Sequence, residues 1–388
     1  VSRLVGGIAC ACLVVVCGVG VARQGSARPA GAAQCYAAAL RHLAAGDYEQ
    51  AYTSARQADN LRPHYQPYEQ LLARLEPTAR HSKLRAFARA ARPDDEASVE
   101  QLAAYLKKGA DDDESRAWLL YSWITDRVGY DIASFLAGTY TSRQYSPATV
   151  LKTRVAVCDG YSQLYTAVGK EMGLEVVTIG GHAKGFSYRT GVDDNRIRHA
   201  WNGVRLGGKW RLIDSTWGAG SIKDGKFHKQ FDDFFFCCRP EALILTHYPL
   251  KAEDQFLDPP VPPERWKSWP KVEARALLRY GFEPVAIREL LEHKTPPVEA
   301  YVITCPLTVQ APLGRELDSR QAHTIRVESP AAADVALIHG GQWHFASRRG
   351  SSFSCVCRGM VGAIVVAVKP FGQKSYYSVL KYEGVRRR

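Results

Sequence analysis

Three residues in the middle of the chain have the types and spacing for thiol-based acyl chemistry: Cys158, His199 and Asp214. A cysteine becomes a strong nucleophile when a neighbouring base takes its proton. The base works best when a carboxylate fixes its tautomer and stabilises its charged form. The order Cys, His, Asp supplies those functions. Such a set attacks a carbonyl, forms an acyl-thioester and passes the acyl group to water or to an amine.

The flanking residues say how the three could meet. After Cys158, the apolar residues Tyr161, Leu164, Tyr165, Val168 and Met172 recur mostly at three- and four-residue steps, which predicts a helix with Cys158 at its start. There the thiol feels the positive end of the helix dipole, and the Cys158 N–H can serve an oxyanion. Asp159 opposes the thiolate while capping the helix. Residues 199–206 and 209–214 read as strands joined by Gly207-Gly208, a turn that needs positive φ. That register pairs Leu206 with Lys209, Val204 with Arg211 and Trp201 with Asp214. His199, Trp201, Trp210, Leu212 and Asp214 then share one face. His199 and Asp214 become diagonal neighbours, about 7–8 Å apart at Cα. Trp210 and Leu212 are expected to bury the hairpin against the helix that carries Cys158.

Three runs, Val157-Cys158-Asp159-Gly160-Tyr161, His199-Ala200-Trp201-Asn202 and Trp210-Arg211-Leu212-Ile213-Asp214-Ser215-Thr216-Trp217-Gly218, resemble the transglutaminase-like superfamily, most of all its kyphoscoliosis-peptidase branch. The stretches 117–124 with Tyr130-Asp131, 180–185, 232–236 and His247-Tyr248-Pro249 add to the likeness, which spans roughly 99–257. It implies an α+β fold with a papain-like transglutaminase core, a triad of Cys158, His199 and Asp214, and a following β-domain. The family includes peptidases, amide cross-linkers and non-catalytic relatives. Hydrolysis of peptide or protein amides is therefore the first expectation. Protein cross-linking and a binding scaffold with a vestigial triad are the alternatives. Trp201, His182 and Trp217 are candidates for substrate contact. His247 is expected to pack beside Tyr248 and Pro249, and Cys237-Cys238 to be buried or bridged.

The remaining sequence frames this core. The chain has 388 residues, 46% hydrophobic and 23% charged, a globular balance with room for more than one unit. Its net charge of +12 comes without zinc-finger spacing, an RRM signature or a phosphate loop. That argues against a specific nucleic-acid partner and for encounters with an anionic cell-envelope surface. No C-x-x-C pair, calcium loop or nucleotide fingerprint appears, so neither a metal nor an organic cofactor is expected. Residues 33–93 read as helical, with Gly46, Tyr48, Ala51, Ala58 and Pro63 resembling half of a tetratricopeptide unit and forming an N-terminal helical hairpin. The basic, Ala-rich stretch 80–93 leads to the acidic cluster 94–96. The acidic clusters 94–96 and 111–114 each precede a helix within the catalytic unit, 94–260. A Pro- and Trp-rich boundary at 261–270 opens a C-terminal, β-sandwich-like domain, 261–388, whose apolar runs lie at 300–303, 323–327, 335–339, 362–368 and 375–380.

Residues 1–32 carry Arg3, an uncharged stretch from Leu4 to Ala22, and Ala30-Gly31-Ala32, the layout of a secretory signal. Export follows, to periplasm, envelope or medium; retention of 4–22 would instead leave a membrane anchor. Seven cysteines follow the leader, and an odd number leaves at least one thiol unpaired. Mass spectrometry of the mature protein should find an N-terminus near Ala33, whereas an intact leader would mean an anchored chain.

Overall fold

The structure is a computed structural model and describes residues 31–139, 141–185, 198–303 and 305–386. The apolar stretch 4–22 and the final Arg387-Arg388 lie outside those residues. Among the described residues, no helix is long and apolar enough to cross a membrane.

The N-terminal region is three helices rather than a hairpin. Ala32–Ala44 and Tyr48–Leu61 pair through the Gly46 turn and the Asp47 cap, whose Oδ1 accepts the Gln50 N–H at 3.1 Å. Fully buried Ala51, Ala55 and Ala58 let helices approach closely. The third helix, Gln66–Arg89, runs into the basic, Ala-rich stretch and lies within the region expected to be helical. Alanine and arginine are both strong helix formers, so a basic, Ala-rich run extends a helix when its apolar side finds a surface. That surface is the core: Trp118 stacks on His81 at 4.0 Å and donates its indole N–H to the His81 carbonyl at 2.8 Å.

The acidic clusters mark helix starts as expected. Ser98 caps Val99–Lys107, and Asp112 caps Asp113–Arg127 by accepting the Ser115 N–H at 2.9 Å. The second helix buries residues on every side, from Ala117 to Thr125, and so forms the centre of the unit that holds Cys158, His199 and Asp214. The Cys158–Glu171 helix packs beside it, with the Tyr165 hydroxyl donating to the Ala117 carbonyl at 3.1 Å. Across them lies an antiparallel sheet in the order Lys209–Ile213, Arg198–Leu206, Val176–Ala183, His247–Pro249.

The central hairpin has the expected register, Leu206 opposite Lys209 and Val204 opposite Arg211, around Gly207 and Gly208 at φ 54° and 77°. Its packing face differs from expectation. Asn202, on the other side of the pleat, faces the Cys158 helix and donates to the Ser162 carbonyl at 3.1 Å and the Thr166 hydroxyl at 2.9 Å. Trp210 instead stacks on Phe256 at 4.8 Å, and Leu212 bridges to Cys238. Alternation dictates which residues travel together, not which neighbour receives them.

The C-terminal region is β-rich, as expected. One sheet has four strands and the other six, and their inward residues, among them Ile325, Val327, Phe353, Val366 and Tyr382, form one core. Helices Pro263–Ser268, Ala274–Arg279 and Pro284–Glu292 precede it. Within the stretch 261–270, Trp266 and Trp269 are buried, and their carbonyls accept the Lys184 ammonium. Leu40, Leu43, Leu71 and Leu75 of the N-terminal helices join the same apolar cluster as the sandwich.

Gly181 sits mid-sheet, opposite His199 and Pro249. A Cβ there would press on the Tyr248 carbonyl and lie 2.5 Å from the Trp201 ring and 2.8 Å from the Pro249 Cα. Gly181→Ala should lower unfolding free energy by about 1–3 kcal/mol in urea titrations. An unchanged midpoint would show that the strands part without cost.

Candidate active site

Cys158 opens its helix, with Val157 extended at the N-cap. The approach to it is fixed by a buried carboxylate. Glu96 accepts the Trp123 indole N–H at 2.8 Å, the Arg127 Nε at 3.1 Å and an Arg154 Nη at 2.6 Å. Charge-assisted bonds of this kind are the stronger ones. They hold Arg154 in a left-handed conformation, φ 59°, just before the short strand Val155–Ala156. That strand pairs in parallel with Gly129–Tyr130. Gly160 lets the first helical turn seat here, since a Cβ would lie 2.6 Å from the Tyr145 Cβ and 2.7 Å from that of Ala156.

His199 and Asp214 meet as the register requires: His199 Nε2 is 2.8 Å from Asp214 Oδ2. The other oxygen, Oδ1, accepts the N–H groups of Thr216 at 2.9 Å and Trp217 at 3.0 Å, so Asp214 also caps the helix Ser215–Ala219. Burial alone would lower the His199 pKa. The Asp214 charge and hydrogen bond, with a smaller contribution from the nearby Cys158 side chain, raise it to about 10. Burial would raise the Asp214 pKa, yet His199, and then His247, hold it well below the carboxylate range. Because Nε2 is taken by Asp214, Nδ1 is the ring atom left for the thiol.

His247 does more than pack beside its neighbours. It is buried, its Nε2 lies 3.0 Å from the same Asp214 Oδ2, and its Nδ1 is 2.8 Å from the Thr246 hydroxyl. Burial lowers its pKa, with Asp214 opposing and His199 adding to that shift. The donor atoms of His199, Asp214 and His247 lie within 4.8 Å of one another, close enough for a metal site. Each is already the hydrogen-bond partner of another in the trio.

A cavity of about 360 Å³ opens beside His199. Trp217 lines it together with Tyr130, Phe135, Phe227 and Phe235, while Arg198, Lys271 and Arg275 add charge. Cys158 itself is 6% exposed and does not contribute to that lining. Neither do the other two residues expected at the substrate. Trp201 is buried and turns toward a small void shared with His247, at 5.1 Å ring to ring. His182 lies mid-sheet between Arg198 and Tyr248, and the cavity wall is taken by Ala183, Lys184 and Gly185.

Lys184 was not singled out by spacing, yet it is 1% exposed. Its ammonium donates to the carbonyls of Trp266 at 2.9 Å and Trp269 at 2.8 Å and lies 4.3 Å from the Trp266 ring centre. Burial lowers its pKa to about 7. None of the seven described cysteines is in a disulfide.

Residues 100–215 match the family described as the transglutaminase-like superfamily. Human kyphoscoliosis peptidase is 34% identical over 165 residues, covering 42% of this chain and 25% of that protein. Hillarin of Drosophila melanogaster is 31% identical over 137 residues, 32% of this chain and 17% of its own length. The matches thus span a quarter or less of these relatives. A solved TGase structure overlaps 36% of this chain and 34% of its own, at 19% identity and a TM-score of 0.24.

Two buried cations make opposite demands on pH. Between about 7 and 10, Lys184 is neutral when folded but protonated when unfolded, so it makes stability rise with pH. His199, raised from 6.5 to about 10, is protonated when folded and neutral when unfolded, so its contribution is lost as pH rises through that window. Each slope is about 1.4 kcal/mol per pH unit, and they cancel. In urea unfolding at pH 7 to 9, Lys184→Met should lose stability with rising pH and His199→Gln should gain it. Parallel pH profiles for the two variants would contradict this assignment.

Proposed function

We propose, from the premise that residues 100–215 belong to the transglutaminase-like superfamily in its kyphoscoliosis-peptidase-like branch, that this chain is a thiol hydrolase of peptide or protein amides. The observation that carries the reading is the His199 imidazole, bonded to Asp214 through Nε2 at 2.8 Å, with the Cys158 side chain near enough to help raise its pKa. In this mechanism the proton of the Cys158–His199 pair rests on the imidazole, and the sulfur attacks the amide carbonyl carbon. The Cys158 N–H, at the start of its helix, donates to the developing oxyanion. His199 then protonates the departing amine as the C–N bond breaks, leaving an acyl-thioester. Water, losing a proton to His199, attacks that thioester, and the C–S bond breaks to return the thiol and release the acid. Asp214 balances the imidazolium throughout without taking its proton.

The aromatic walls beside His199 suit a substrate with a bulky apolar group near the reacting carbonyl. With a net charge of +12, the proposal places that substrate at an anionic envelope surface reached after export.

Cys158 should stand out among the thiols, because burial raises the pKa of Cys237, Cys238, Cys355 and Cys357. Iodoacetamide at neutral pH should label Cys158 first, and His199→Ala should slow that labelling by about tenfold or more. Cys158→Ala should reduce turnover of an amide library by about three orders of magnitude. Equal labelling of the parent and His199→Ala proteins would overturn the reading. Conversion of added primary amine into amide product would move it from hydrolysis to transfer.

A further inference from the structure

We propose that His247 is a positioning residue for the thiol chemistry, holding Asp214 Oδ2 as an uncharged second donor so that the carboxylate keeps facing His199. The inference rests on the thiol-hydrolase reading. Its geometry is complete on the Asp214 side. Oδ1 takes two backbone N–H groups, and Oδ2 takes one imidazole from each of two strands. A carboxylate only accepts, so His247 must carry its hydrogen on Nε2. Its Nδ1 is then an acceptor, and the Thr246 hydroxyl, 2.8 Å from that nitrogen and 3.3 Å from the Leu243 carbonyl, gives its one hydrogen to the nearer partner. Thr246, His247, Asp214 and His199 therefore form a directed chain in which one tautomer of His247 satisfies both ends.

Neutrality matters because the site holds one carboxylate for two imidazoles. The charged or titratable groups that His247 faces are Asp214 and His199, with Asp254 bordering the small void on its far side. Trp217 and Trp201 enclose the ring at 4.5 Å and 5.1 Å and keep water away. Burial disfavours a second imidazolium there, which leaves the Asp214 charge to His199. A donated hydrogen bond also makes a carboxylate harder to protonate. The His247 bond thus extends toward acid the range in which the His199 imidazolium keeps its counter-charge.

The test measures the rate of iodoacetamide alkylation of Cys158 from pH 4 to 9 in the full chain and three variants. In His247→Asn the amide still reaches Thr246 but falls short of Asp214, and in His247→Gln it takes the place of Nε2. His247→Phe keeps a ring between the tryptophans and gives a second route to the lost bond. Asn and Phe should move the acid limb of the profile upward by about one pH unit, and Gln should restore it. A purely structural role would scale all rates equally and leave the limb in place. A fast parent thiol with unmoved limbs in Asn and Phe overturns this inference alone. A parent Cys158 no faster than a small free thiol overturns the hydrolase reading and this inference with it.

Discussion

A carboxylate with no solvent contact must be neutralised where it sits, and that requirement at Asp214 organises the centre of the molecule. Two backbone N–H groups, an imidazolium and a neutral imidazole meet it, contributed by the helix that Asp214 caps and by two strands of the sheet. The two-glycine turn sets the register that brings His199 diagonal to Asp214. The third strand then has to lie where it does for His247 to reach the same oxygen. Moving any of these elements by one residue would leave a buried charge without a partner, so the sheet has little freedom to slip.

The nucleophile side follows the same logic with a different acid. Glu96 gathers Trp123, Arg127 and Arg154 around one buried carboxylate, and Arg154 leads directly into the strand that delivers Cys158. The thiol and the imidazole are thus positioned from separate anchors, one in the helical layer and one in the sheet. The carbon skeletons between them are close-packed: Tyr161 and Tyr165 on the Cys158 helix are wholly buried, and their hydroxyls are spent on the carbonyls of Val128 and Ala117.

Much of this was legible from local pattern. The Cys158 helix followed from apolar spacing, and the His199–Asp214 pair from strand alternation and turn chemistry, both of which act over a few residues. What escaped is long-range. His247 lies in a three-residue strand, too short to carry a period, and it meets Asp214 across 33 residues of chain. Lys184 reads as one more surface lysine until the carbonyls of Trp266 and Trp269 close over it. The face on which Trp210 packs was set by which neighbour arrived, something no short window contains.

The cavity wall built by Lys271, Val272 and Arg275 lies beyond the segment that matches the transglutaminase-like superfamily, while His199 and Asp214 lie within it. Lys184 fastens that wall through Trp266 and Trp269, and Arg275 and Arg279 pin it to Asp232. On the proposed reading, the reacting groups and the wall beside them therefore lie on different stretches of the polypeptide. On that reading, substitutions in the outer wall change what the cavity accepts while the reacting atoms stay put, provided the lysine latch and the arginine clasp are kept.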